Sequence, residues 1–155
     1  MTGRIETAVY LGLLAGLSLL VAAEGRRRAE LERRVPVAPA ELYRTLARSQ
    51  TAWQVVDVRP DLADGYEESH VPGAIPLPGC DPERAPAAAR ARIHATVPTV
   101  IVTSGDGGAE AERCLARFGA ARRLAGGMEA WSQARLPEDS GEYAPPSVKA
   151  GGGCL

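Results

Sequence analysis

The chain has 155 residues and a mass of 16.3 kDa, room for one compact domain with a segment or two beside it. Hydrophobic residues at 45% and charged residues at 24% exclude wholesale disorder, and a net charge of −1 excludes a general basic field for nucleic acid. Three cysteines in this length make no disulfide framework, and aromatics at 5% leave the core to Val, Leu, Ile and Ala.

After a short N-terminal end, residues 1–6, the stretch Thr7 to Ala23 carries no charge and is bounded by Glu6 and Glu24. As a helix it covers about 25 Å, the short end of what crosses a bilayer. It is read as a single transmembrane helix, with the lipid bilayer as its first partner. Ala8, Gly12 and Gly16 recur every four residues, a small-residue stripe on which two such helices can pair. The alternative is a cleaved signal peptide, with Val21 and Ala23 as the small residues of the cleavage site. Residues 24–34 form an Arg-rich juxtamembrane stalk whose five arginines outnumber the single Arg4 before the span. That asymmetry predicts a cell-membrane protein with its C-terminal domain in the cytoplasm.

From Val35 the chain alternates helix and strand signals. Pro39 to Arg48 reads as a short helix, with Pro in its first turn and Leu42 and Leu46 on one face. Val55 to Val58 is a strand ended by Arg59-Pro60, and Ala74 to Leu77 a second short strand beside prolines. Asp81 and Pro82 start a helix that Pro86 interrupts, so the helix is placed over Pro86 to Ala95. Thr99 to Thr103 is the most β-like run, apolar as a buried parallel strand should be. It leads through Ser104-Gly-Asp-Gly-Gly108 into a helix over Ala109 to Phe118, stopped by Gly119. Arg122 to Leu124 is a last strand, and Met128 to Ala134 a closing helical turn with Trp131 inward. Strand alternating with helix over about 100 residues predicts a small α/β layer fold around a central parallel sheet flanked by helices. Residues 137–155, rich in Pro, Gly and acids, read as a flexible tail.

Three segments carry a resemblance. Val55-Val-Asp-Val-Arg59, Ser69-His-Val-Pro-Gly-Ala-Ile-Pro-Leu-Pro78 and Leu124-Ala-Gly-Gly-Met-Glu-Ala-Trp131 are similar, in order and spacing, to three successive signatures of the rhodanese homology domain. The resemblance covers residues 35–136. It implies structural roles for Asp57, Arg59, His70, Gly73, Gly126, Gly127 and Trp131. It also implies an active loop between a strand and a helix, beginning in active relatives with a Cys that takes up sulfane sulfur as a persulfide. That chemistry needs a thiolate and an anion cradle of loop N–H groups, usually helped by an Arg.

The matching loop here is Thr103, Ser104, Gly105, Asp106, Gly107 and Gly108. Thr103 stands in the Cys place, or Val102 if the register moves by one; Gly108 or Gly107 stands where the Arg would be, and Asp106 adds negative charge. A degenerate, non-catalytic loop is therefore expected, in a domain used for protein interaction or as an accessory subunit of a membrane complex. The rival is a membrane-tethered sulfurtransferase or sulfur carrier using Cys80 or Cys154. Cys114 is expected to be a small buried hydrophobe and His94 to face solvent. No cofactor and no metal are expected, since no Cys and His pair has ligand spacing.

Overall fold

The computed structural model describes residues 14–27, 35–48 and 53–145. The expectations for the first half of the apolar span with Ala8 and Gly12, for stalk residues 28–34 and for Cys154 fall outside them. The chain divides into two units, Met1–Arg34 and Val35–Leu155.

In the first unit, residues 14–27 are helical. Ser18 Oγ donates to the carbonyl of Leu14, and Leu14, Leu17, Leu19, Leu20 and Val21 are all exposed. Among the described residues, no helix is long and apolar enough to cross a membrane.

The second unit holds four parallel strands, β1 (Gln54–Asp57), β2 (Ile75–Pro76), β3 (Thr99–Val102) and β4 (Ala121–Arg123), in the spatial order β2-β1-β3-β4. β1 pairs with β3 over its whole length, Gln54 opposite Thr99 and Asp57 opposite Val102. β2 is shorter than its sequence suggests, because Pro76 has no N–H for the ladder and only Val56–Ile75 and Asp57–Pro76 pair. Helices α1 (Pro39–Arg48), α2 (Ala87–Arg90), α3 (Ala109–Arg117) and α4 (Gly127–Gln133) complete the unit.

Side chains alternate across the strands and create two cores. Val55, Val100 and Val102 point to one face, with Val37, Leu42, Leu124, Met128 and Trp131. Val56, Val58 and Ile101 point to the other, with Leu77, Cys80, Cys114, Phe118 and Ala121. Both faces are apolar because both are covered, as expected of a parallel sheet.

Three further differences from the sequence-based expectations concern the elements around the sheet. The helix expected over Pro86 to Ala95 shortens to the single turn α2, with turns on either side. Leu62–Glu67 forms a π-helical turn where no helix is expected; the Asp61 carboxylate accepts from the N–H groups of Ala63 and Asp64 at its start. Residues 137–145 pack as a strap instead of trailing free. Asp139 exchanges both backbone hydrogen bonds with His70, at 2.8 and 2.9 Å, and Gly141 N–H donates to Glu67. Leu136 and Tyr143 lie on the core. The backbone of His70 would otherwise be a buried, unpaired edge, and the acidic strap satisfies it.

Candidate functional site

The carboxyl ends of β1 and β3 lie side by side and place two groups of residues at one sheet edge, where open parallel sheets carry their ligands. The first group fixes the exit of β1. Asp57 is buried, and both its oxygens accept from the Arg59 guanidinium at 2.7 to 3.1 Å, while Arg59 also donates to the carbonyl of Ser69 at 2.5 Å. The pair ties the strand exit to the turn before His70. A buried charge needs such a partner, and removing Arg59 alone would leave Asp57 uncompensated.

His70 is held by its own neighbours. Its ring stacks on Tyr66 with centroids 3.9 Å apart, and Nδ1 lies 2.7 Å from the carbonyl of Tyr66. The Tyr66 hydroxyl donates to the carbonyl of Ala74, just before β2. Burial, with the nearby Asp57 charge second, pushes the Tyr66 hydroxyl well above the ordinary tyrosine range, and burial raises that of Tyr143 as well. A cavity of about 420 Å³ opens beside these rings, bounded by the strap residues Glu138, Asp139 and Glu142; none of its lining belongs to residues 103–108.

The second group is the loop between β3 and α3. Thr103 Oγ1 donates to the carbonyl of Gly105 at 2.6 Å, so the hydroxyl is spent within its own loop. The carbonyls of Thr103 and Ser104 accept from Met128 and Glu129, at 2.7 and 3.0 Å, which docks the first turn of α4 against the loop. That approach requires Gly127. Its φ is +56°, and a Cβ there would collide with the carbonyl oxygen of Thr103 and come within 2.7 Å of that of Gly105. Gly126 precedes it in the left-handed region, and its N–H donates to the Asp106 carboxylate at 2.7 Å. Arg123 donates to the carbonyl of Asp106 at 3.3 Å and pairs with Glu112 at 3.8 Å. Glu129 Oε2 lies 3.6 Å from the Cβ position of Gly105. Two carboxylates thus flank the loop, and the nearby arginine is engaged.

Trp131 closes this end, fully buried, edge-on to Tyr43 and donating to the carbonyl of Pro137 at 2.9 Å. Gly73, with φ +75°, turns the chain into β2.

Cys80 differs from its expectation. It is bonded to Cys114 in a disulfide, so neither is a free thiol, and Cys114 is buried as half of a covalent link. Two clues were present in the sequence: both cysteines lie inside the domain, and Cys80 follows the predicted strand Ala74 to Leu77 while Cys114 lies on the predicted helix Ala109 to Phe118. The strap and the engaged Arg123 had no local signal, since both depend on contacts distant in the chain. Among the described residues, no cluster of three or more His, Cys, Asp or Glu is suited to a metal ion.

The comparisons agree with this architecture. The family profile described as Rhodanese-like domain matches residues 38–134. The solution structure of the rhodanese-like domain from the Anabaena sp. Alr3790 protein is similar at 20% identity and a TM-score of 0.52, over 77% of this chain and 87% of that one. The BH2092 protein from Bacillus halodurans gives 23%, 0.55, 77% and 85%. A thiosulfate sulfurtransferase from Pseudomonas aeruginosa gives 19% and 0.52 over 74% of this chain and 22% of its own. At these identities the likeness carries the fold alone. No significant match is found among curated protein sequences.

Proposed function

The chain belongs to the rhodanese-like domain family, and on that premise we propose a non-catalytic member: a membrane-tethered domain acting in protein interaction or as an accessory subunit of a membrane complex. The observation that carries the proposal is loop 103–108. It occupies the place of the family's active loop, between a parallel strand and a helix, yet offers no thiol. Its first hydroxyl is hydrogen-bonded inward, and Asp106 and Glu129 present negative charge where an anionic sulfur donor would arrive. A hydroxyl with no adjacent base cannot hold transferable sulfur. Fold alone does not supply function where the reacting groups differ.

The tether rests on the uncharged run from Thr7 to Ala23 and on Leu14, Leu17, Leu19, Leu20 and Val21, which are exposed among the described residues. Ala8, Gly12 and Gly16 supply a surface for pairing with a partner's helix.

The test is thiosulfate-to-cyanide sulfur transfer by the full chain. Wild type is expected at the level of a heat-killed control, and Thr103→Cys alone should stay there, because Asp106 opposes both thiolate formation and anion approach. Adding Asp106→Gly and Gly108→Arg supplies the missing electrostatics, and Gly108 has an extended backbone that accepts a side chain. Wild-type turnover that disappears in Cys154→Ser would replace this reading with the sulfur carrier.

A further inference from the structure

We infer that the domain folds and works on the oxidising side of the membrane, stapled there by the Cys80–Cys114 disulfide. The bond links the turn Pro78–Cys80, at the exit of β2, to the middle of α3 across a sequence separation of 34 residues. The Cα atoms are 5.6 Å apart, inside the range a disulfide requires. Both cysteines lie in the second core, among Val58, Leu77, Ile101, Phe118 and Ala121; Cys114 has no exposed surface and Cys80 only 9%.

Burial decides what kind of disulfide this is. Labile, regulatory disulfides are exposed or strained, so that a thiolate can reach one sulfur; a sealed pair resists exchange and is structural. Structural disulfides persist where thiols are not kept reduced and are rare in the ordinary cytoplasm. Formation takes two thiols and a disulfide-donating oxidant. One cysteine thiolate attacks the donor disulfide, and the second then displaces the donor from the mixed disulfide. Two electrons pass to the donor, which leaves as a dithiol carrying the two protons.

The five arginines of residues 24–34 pull the other way, toward a cytoplasmic domain. They act as a bias on how a span inserts, whereas the disulfide is a bond that has to be made chemically, so we give the bond precedence. The inference holds whether residues 7–23 remain as an anchor or are removed after Ala23, and it is independent of whether the loop transfers sulfur.

The experiment traps thiols in cells. Full-length chain and Cys154→Ser are expressed in a bacterial host with a periplasm, quenched in acid, denatured and treated with a maleimide that adds a fixed mass per thiol. One label is expected on wild type and none on Cys154→Ser, rising to three and two after reduction. In a host lacking its periplasmic dithiol oxidase, the free-thiol form should become dominant. Three labels on quenched wild type from the normal host would overturn the inference, and so would a disulfide that persists undiminished without the oxidase.

Discussion

Gly127 and Tyr66 show how single positions hold this domain, and each gives a measurable consequence. A Cβ at residue 127 meets two carbonyl oxygens of the loop on a backbone of positive φ. Gly127→Ala should therefore destabilise by about 1–3 kcal/mol, read as a lower denaturant midpoint with unchanged slope. Gly107 offers a contrast: its Cβ would meet only the end of the Arg123 side chain, at 3.2 Å, which can swing away. Tyr66 links stability to pH. Its hydroxyl is held protonated in the folded chain by burial and by Asp57, so its folded pKa lies above the unfolded value near 10. The associated stability is fully present below about pH 10 and is lost as pH rises beyond it. Denaturant midpoints between pH 8 and 11 should be flat and then fall. Tyr66→Phe should flatten the fall, Tyr143 accounting for the remainder; an unaltered slope would remove Tyr66 from the account.

At the scale of elements, the strands were legible because local chemistry determines them. Val55 to Val58 and Thr99 to Thr103 are apolar, β-branched runs, and both form strands within a residue of their expected bounds. Loop 103–108 was legible as well, from the glycines between a strand and a helix. The strap was not, because 137–145 is polar and proline-rich and is held by contacts with other parts of the chain, among them its pairing with His70 and Glu67 about 70 residues away. Removing it tests that account. Truncation after Leu136 takes away the carbonyl that receives the Trp131 N–H and the partner of His70. An unsatisfied buried donor alone costs about 1–3 kcal/mol. The melting temperature should fall by roughly 10 °C, at 4–8 °C per kcal/mol for a domain of this size. A truncated chain that melts with the full one would return residues 137–145 to the status of a tail. Trp131→Ala, at about 3–5 kcal/mol, should be worse still.

At the scale of the whole molecule, the question is why a domain with two covered sheet faces carries a covalent link. Among the described residues the sheet has four strands, one of them two residues long, and α2 is a single turn. The segment from Cys80 to Cys114 contains that short helix, β3, the candidate loop and most of α3, so its placement depends largely on β3 and on the ends of the segment. Closing a loop of that length lowers the entropy of the unfolded chain by about 4 kcal/mol on the chain-entropy account, comparable to the lower end of a small domain's stability. The expected result is a fall in melting temperature of about 15 °C or more when the purified protein is unfolded, reduced with dithiothreitol and refolded in its presence, because the sealed bond resists reduction in the folded chain. Cys80→Ala should melt near the reduced wild type and be indifferent to the reductant, which separates loss of the staple from any direct effect of thiols. Hydrogen exchange should rise first in residues 78–80 and 103–117, because these are the parts the bond joins and the loop it steadies. If wild type and Cys80→Ala shift equally in dithiothreitol, the link carries no stability, and the sheet with its two apolar cores holds α3 alone.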